Sequence, residues 1–246
     1  MILKINTPAI ILRRWPYSES SMVLHALTPN LGTISILAKG AYKATSGHMG
    51  VLDTWALVNL EASRRPKVEL FQLHKAKLID RMPHLSQTIH SLDLAGLFGE
   101  LAELAAPPEQ ASEEVFFWLK RSLCDLKGKK NLHWYVLCAT LEILELLGLS
   151  PAIPEEATAS QYWFSPAEGG FITDNSNEQP SSIAKLTPLE TIQTFKNARD
   201  KSPIKESDLG NLTICTTMLG DFLHYHLERL PKAWPMCLKS MNKKPL

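Results

Sequence analysis

Lysine, arginine and aromatic side chains fall together at several points in the first 80 residues. Arg13 and Arg14 precede Trp15 and Tyr17, Lys39 precedes Tyr42 and Lys43, Arg64, Arg65 and Lys67 form a short cluster, and Lys75 and Lys77 are two apart. Cations neutralise phosphates and flat rings stack on bases, which is the pairing that single-stranded nucleic acid requires. Residues 1–80 carry ten Lys or Arg against five Asp or Glu, net +5, while the whole chain is only +1. Residues 82–119 hold no Lys or Arg, and residues 229–246 hold five basic side chains and no acidic one. That asymmetry points to a polyanion-binding front end and a second basic patch in the tail. The same residues also fit another reading, in which the charges are solvated scatter and Trp15 and Tyr17 are core or lid rings. Neither reading implies sequence specificity.

Catalytic chemistry finds no comparable support. The segment from Gly40 to Gly47 is bounded by glycines and basic, but no Lys-Ser/Thr pair follows the second glycine as a phosphate-binding loop demands, and there is no GxGxxG. His84 and His90 are six apart and His224 and His226 two apart, so neither pair shares a helix face as two metal-binding imidazoles must. No GxSxG elbow is present, and Cys124, Cys138, Cys215 and Cys237 are dispersed without the CxxC pairs of a zinc site. They read as reduced, mostly core thiols. Glu142 and Glu145, three apart, could pair as acid and base, but a polar stripe on a buried helix is the plainer interpretation. A non-enzymatic protein without a cofactor or metal is expected.

The elements that must position these residues can be read from periodicity. With 246 residues, 45% apolar and 21% charged, the chain suits one large or two small globular domains. Tyr135 to Leu149, the longest apolar stretch, is broken by two glutamates and is shorter than the roughly 20 residues of a membrane span. The N-terminus lacks a secretory core, so a cytoplasmic location is expected. Five strands are predicted at Ala9–Arg14, Met22–Leu27, Thr33–Ala38, Trp55–Ala62 and Val68–Ile79, with room for a short helix in 41–50. Such a set forms a largely antiparallel five-stranded barrel of the OB type. Lys75 and Lys77 then project from one face of the fifth strand.

After Pro83 the period changes to that of amphipathic helices, through Leu85–Leu104 and Val115–Leu126, with a break at Pro107-Pro108. Leu132–Leu147 is apolar on nearly every face and reads as a central helix ended by Gly148. Residues 150–186 read as an irregular excursion, Thr187–Glu190 as a capping box with Pro at the first helical position, and Leu209–Leu230 as a last helix before the basic tail. The expected class is α+β multidomain, with an OB-fold DNA-binding domain over 1–81 and an all-helical domain over 82–246.

The pieces Ala9–Arg14, Tyr17–Ser21, Leu27-Thr28 leading to Gly32, Ala38–Ala41 with Ser46, and Leu52–Trp55 occur in an order that resembles the bacterial recombination-repair family RecO. The resemblance extends over essentially the whole chain. It implies an N-terminal OB domain, a helical body, and a non-enzymatic mediator that binds single- and double-stranded DNA and anneals complementary strands. It further implies engagement of the acidic C-terminal tail of single-strand-binding protein, action with RecR in loading RecA, and a cytoplasmic, nucleoid-associated location. Carried over by position, Lys39, Lys43 and the strand-end arginines lie on the DNA face. The expected DNA-binding set is thus Arg13, Arg14, Lys39, Tyr42, Lys43, Arg64, Arg65, Lys67, Lys75 and Lys77.

Two departures from the family pattern stand out. Many relatives carry four zinc-binding cysteines around the segment corresponding to 150–182, whereas this segment has none, so no structural zinc is expected. Tyr42 and His48 dilute the basic cluster that usually follows Gly40. An acidic tail ending in an aromatic residue needs an apolar pocket rimmed by cations, and Phe117, Trp118, Lys120 and Arg121 are the candidates, with a solvated helix face as the other reading. The alternative for the whole protein is a helical interaction scaffold whose barrel has lost useful DNA binding.

Overall fold

The computed structural model describes residues 2–43, 46–48, 50–129, 131–156, 158–159, 161–173, 181–227 and 230–241. The chain divides into two compact units, Met1–Lys127 and Gly128–Leu246. In the first unit β1 (Leu3–Pro16), β2 (Met22–Thr28), β3 (Gly32–Ala38), β4 (Leu57–Arg64) and β5 (Phe71–Asp80) pair in the ring β1-β2-β3-β5-β4, a closed barrel. One long strand makes closure possible. The first half of β1 pairs antiparallel with β4, from Leu3↔Arg64 to Ile10↔Leu57, and its second half pairs with β2, from Ile10↔Leu27 to Pro16↔Met22. The sheet is antiparallel throughout except for a short parallel contact, Ile36↔Phe71 and Leu37↔Gln72. Alternate residues point inward, and Leu24, Ala26, Ile34, Ile36, Val58 and Leu60 fill the interior.

Val23 and Leu27 on the outer face of β2 and Thr33 on that of β3 are buried as well, while Ser35 and Leu37 are half-buried. Their cover comes from α1 (Ile89–Ala105) and α2 (Glu113–Asp125), reached through a 3-10 turn at Pro83–Ser86. Thr88 caps α1 by accepting the Ser91 amide at 3.1 Å. Between the two helices, Glu109 N donates to Leu31 O at 2.9 Å and Ser112 N to Pro29 O at 2.8 Å, while Thr33 Oγ1 donates to Ala106 O at 3.3 Å. Phe98 and Trp118 meet edge to face, 5.8 Å between centroids. The strands do end at Asp80, close to the expected boundary at 81/82, but the compact unit runs on to Lys127. The physical reason is the apolar outer face of β2, which needs both helices to exclude water.

Among the described residues of 41–50 the chain runs in turns rather than the expected short helix, with Ser46 N on Lys43 O at 2.9 Å. Trp55, expected in the fourth strand, precedes it with φ 69°, its amide on Ile11 O at 2.6 Å. The fifth strand begins at Phe71 rather than Val68.

The second unit is built on α3 (Leu132–Leu146), which packs against α4 (Leu189–Arg199), α6 (Leu212–His226) and α7 (Ala233–Met241), with a one-turn α5 (Glu206–Leu209) between α4 and α6. Asn131 caps α3 through Trp134 N at 3.0 Å. Gly148, at φ +69°, ends it in a Schellman arrangement, with Leu149 N on Leu144 O at 2.8 Å and Gly148 N on Glu145 O at 2.9 Å. The expected all-helical content needs correction. The excursion contains an antiparallel sheet, β6 (Tyr162–Ser165), β7 (Gly170–Thr173) and β8 (Lys185–Thr187), in the order β7-β6-β8. Phe164 and Phe171 from this sheet close on Phe195 and Phe222, with centroids 5.0–6.0 Å apart. Thr187 belongs to β8 and bonds Lys185 O, so Pro188 caps α4 with no capping box. The expected last helix, Leu209–Leu230, is the shorter α6, and part of the segment expected as basic tail forms a further helix, α7. Arg229, Lys243 and Lys244 of the basic tail lie outside the described residues.

Candidate nucleic-acid interface

Three of the residues weighed for catalysis or metal binding are engaged with other parts of the fold. Glu142 pairs with Lys201 at 3.0 Å. His84 Nε2 lies 2.8 Å from Leu123 O, and His226 Nε2 lies 3.0 Å from Pro166 O. Burial pushes the Cys138 and Cys215 thiols up to about 12 and raises Cys124 as well, the opposite of what a nucleophile needs. Among the described residues no three His, Cys, Asp or Glu side chains are grouped to hold a metal ion.

The cations of the first unit fall into two groups. Arg13 is bound to Glu103 of α1, Arg14 to Asp53 at 2.9 Å, and Arg64 to Glu109 in the α1–α2 connection. Arg64 also lies over the Phe71 ring, 4.9 Å from its centroid, and its hydrogen bond holds the Glu109 carboxyl below its usual range. These three arginines tie parts of the unit together. Lys39, Lys43, Arg65, Lys67 and Lys77 are exposed and have no ion pair among the described residues, and Lys75 has only Glu61 at 4.0 Å.

Geometry sorts the second group further. The ends of β1 and β3 and the start of β2 meet, through Pro16↔Met22 and Met22↔Ala38. Gly40 N donates to Ser21 Oγ at 3.2 Å and Tyr42 N to Ser20 O at 3.0 Å, docking the segment after β3 onto the β1–β2 turn. Lys39 and Lys43 therefore share that end of the barrel with the exposed rings of Trp15, Tyr17 and Tyr42. Arg65 and Lys67 lie in the β4–β5 hairpin, beside the start of β1, where Lys67 has φ 65°. Lys75 and Lys77 stand on the outer face of β5, opposite Glu61 and Asn59. Lys4, which the spacing arguments missed, is exposed on the neighbouring strand opposite Ser63. Its signal was the alternation Lys4, Asn6 against Ile5, Thr7 at the start of β1.

On α2 the structure separates the four candidates. Phe117 is half exposed, and Lys120 and Arg121, three and four residues on, follow it along the same face. Trp118 is only 1% exposed, inside the helical pair, and offers no surface.

No helix among the described residues is long and apolar enough to cross a membrane. The family model described as "Recombination protein O N terminal" matches residues 1–82, and "Recombination protein O C terminal" matches residues 86–235. The chain is 29% identical over 248 aligned residues to a DNA repair protein RecO of Desulfatibacillum aliphaticivorans, covering 93% of this chain and 94% of that one. It is 26% identical to the one of Rhodopirellula baltica, covering 79% and 76%, and 27% identical to one of Dehalococcoides mccartyi, covering 93% and 92%. Neither family model indicates an enzyme. Matched along both its units, the chain belongs to the RecO family of recombination proteins.

Proposed function

We propose that this chain is a non-enzymatic DNA-binding mediator of recombination in DNA repair. On this reading it binds single- and double-stranded DNA through its barrel and anneals complementary strands. It also takes the C-terminal tail of single-strand-binding protein on α2 and acts with RecR to load RecA in the cytoplasm, at the nucleoid. The observation that carries the proposal is the set of exposed, unpaired lysines set beside exposed aromatic rings on a small closed barrel. The ring order of the strands fits the OB type, a barrel used repeatedly for oligonucleotides. Positive charge on such a surface screens the repulsion between two phosphate chains and leaves base pairing to complete annealing. Phe117 with Lys120 and Arg121 suits an acidic peptide that ends in an aromatic residue. The names of the relatives agree with a role in DNA repair.

Titration of labelled single-stranded DNA by fluorescence anisotropy at several salt concentrations tests this reading. Affinity should fall with a log-log slope of about −0.7 per neutralised phosphate, and added complementary strand should anneal faster. Replacing Lys39, Lys43, Lys75 and Lys77 with alanine should flatten the slope. An unchanged slope removes those residues from the interface.

A second reading, an interaction scaffold without useful DNA binding, is favoured by a different observation. Three of the ten expected contact residues, Arg13, Arg14 and Arg64, are already neutralised by the protein's own carboxylates, and Val23 and Leu27 on the outer face of β2 are buried. A folded sample that binds no DNA at low salt would overturn the DNA-binding reading in its favour.

A further inference from the structure

OB barrels commonly lay a strand of nucleic acid across strands 2 and 3. Here α1 and α2 cover much of the β2 side of that face, with Val23 and Leu27 buried beneath them, while Ser35 and Leu37 on β3 stay half-buried. Besides the β4–β5 hairpin, two uncovered surfaces differ in chemistry. At the end of the barrel, Trp15, Tyr17 and Tyr42 are 43%, 63% and 45% exposed. Main-chain bonds hold them together: Tyr17 N on Ser21 O at 2.9 Å, and Tyr42 N on Ser20 O at 3.0 Å. Lys39 and Lys43 flank them. On the side formed by the first half of β1 with β4 and β5, Lys4, Lys75 and Lys77 are exposed among Asn6, Asn59, Ser63 and Glu61. Among the described residues no Phe, Tyr or Trp ring is exposed on that side, and its one exposed imidazole, His74, is 2.7 Å from Ser63 Oγ.

We infer that the barrel divides its ligands between these surfaces: the aromatic end selects single-stranded DNA, and the β1–β4–β5 side holds the phosphates of duplex DNA. The inference rests on the DNA-binding reading above and names which form each surface takes. Bases of a single strand are free to leave their own stack and lie on a ring, whereas those of a duplex are already stacked and paired. Rings therefore favour the single strand, while lysines on a polar sheet favour neither by base contact and bind whatever presents phosphates at the right spacing. A protein that anneals strands has use for both, since substrate is held by its bases and product only by its backbone.

The test is anisotropy with an oligothymidine and with a blunt duplex, using the full chain at one salt concentration. The variant Trp15→Ala/Tyr17→Ala/Tyr42→Ala should lose about tenfold or more in single-strand affinity and stay within about twofold on duplex. Trp15→Phe/Tyr17→Phe/Tyr42→Phe should recover most of the loss, because stacking needs the ring and not its polar group. Lys4→Ala/Lys75→Ala/Lys77→Ala should weaken duplex more than single strand and flatten the duplex salt slope. All these side chains are exposed, so the variants should keep the circular dichroism spectrum and melting temperature of the parent. Equal loss on both DNA forms in the aromatic variant, or none on either, overturns the division while leaving DNA binding intact. Absence of any DNA binding by the unaltered chain overturns the DNA-binding reading itself.

Discussion

His25 stands on β2 beneath α1, with Nδ1 3.3 Å from Ser35 Oγ and Nε2 3.6 Å from Glu103 Oε1. Burial, and then the Arg13 guanidinium, hold its pKa below the usual 6.5, which favours the neutral ring in the folded state. The unfolded chain then takes up a proton at a higher pH than the folded one, and stability rises with pH wherever that is so. The contribution is complete above the unfolded value and is lost as pH falls toward the folded one. Urea midpoints should therefore drop as pH falls below about 6.5, and His25→Gln should flatten that drop. An equal slope in the variant would show that another group titrates. At this scale the sequence was legible in part. Lys39 and Tyr42 are as exposed as their spacing suggested, but the carboxylates that claim Arg13 and Arg64 lie in a later helix and its connection, where no local pattern reveals them.

Helix α1 comes close at Gly99 to the segment that leads into β4. A Cβ there would lie 2.6 Å from the Trp55 ring, whose backbone is held at φ 69°. Glycine to alanine inside a helix ordinarily gains about 1 kcal/mol. Gly99→Ala should instead destabilise the protein by about 1–3 kcal/mol, because the ring must shift to admit the methyl group. A double-mutant cycle with Trp55→Ala checks this, since the penalty should vanish once the ring is gone. If it persists, backbone displacement elsewhere is responsible. Among the elements, long periodic helices such as α2 and α3 were legible from their spacing. The β6–β7 hairpin was not, although Tyr162–Phe164 and Phe171–Ile172 flank a turn, because four-residue strands fall below what alternation can resolve. The doubly buried β2 was visible as an apolar run, but such a run does not say what covers it.

At the scale of the molecule, the first unit needs residues beyond its last strand. A fragment of residues 1–82 would expose Val23 and Leu27 on a sheet face and should aggregate, whereas residues 1–127 should unfold cooperatively in urea. A soluble, cooperative 1–82 fragment would show that the helices are dispensable cover. Fold class was legible because the hydrophobic period changes near Pro83; the extent of the compact unit was not, because it depends on which face of the sheet the later helices occupy.

The long β1 strand also sets an order of events during synthesis. Its first residues leave the ribosome before any other strand, yet their partner is Arg64 at the far end of β4. The N-terminal half of β1 must wait, unpaired, while β2 and β3 form a hairpin with its C-terminal half, and the barrel can close only when β5 has emerged. Through that interval, and until α2 follows, the nascent chain presents an open strand edge beside an uncovered apolar face. Translation rate over the stretch from β3 to α2 thus bears directly on how much of this protein reaches the cell folded.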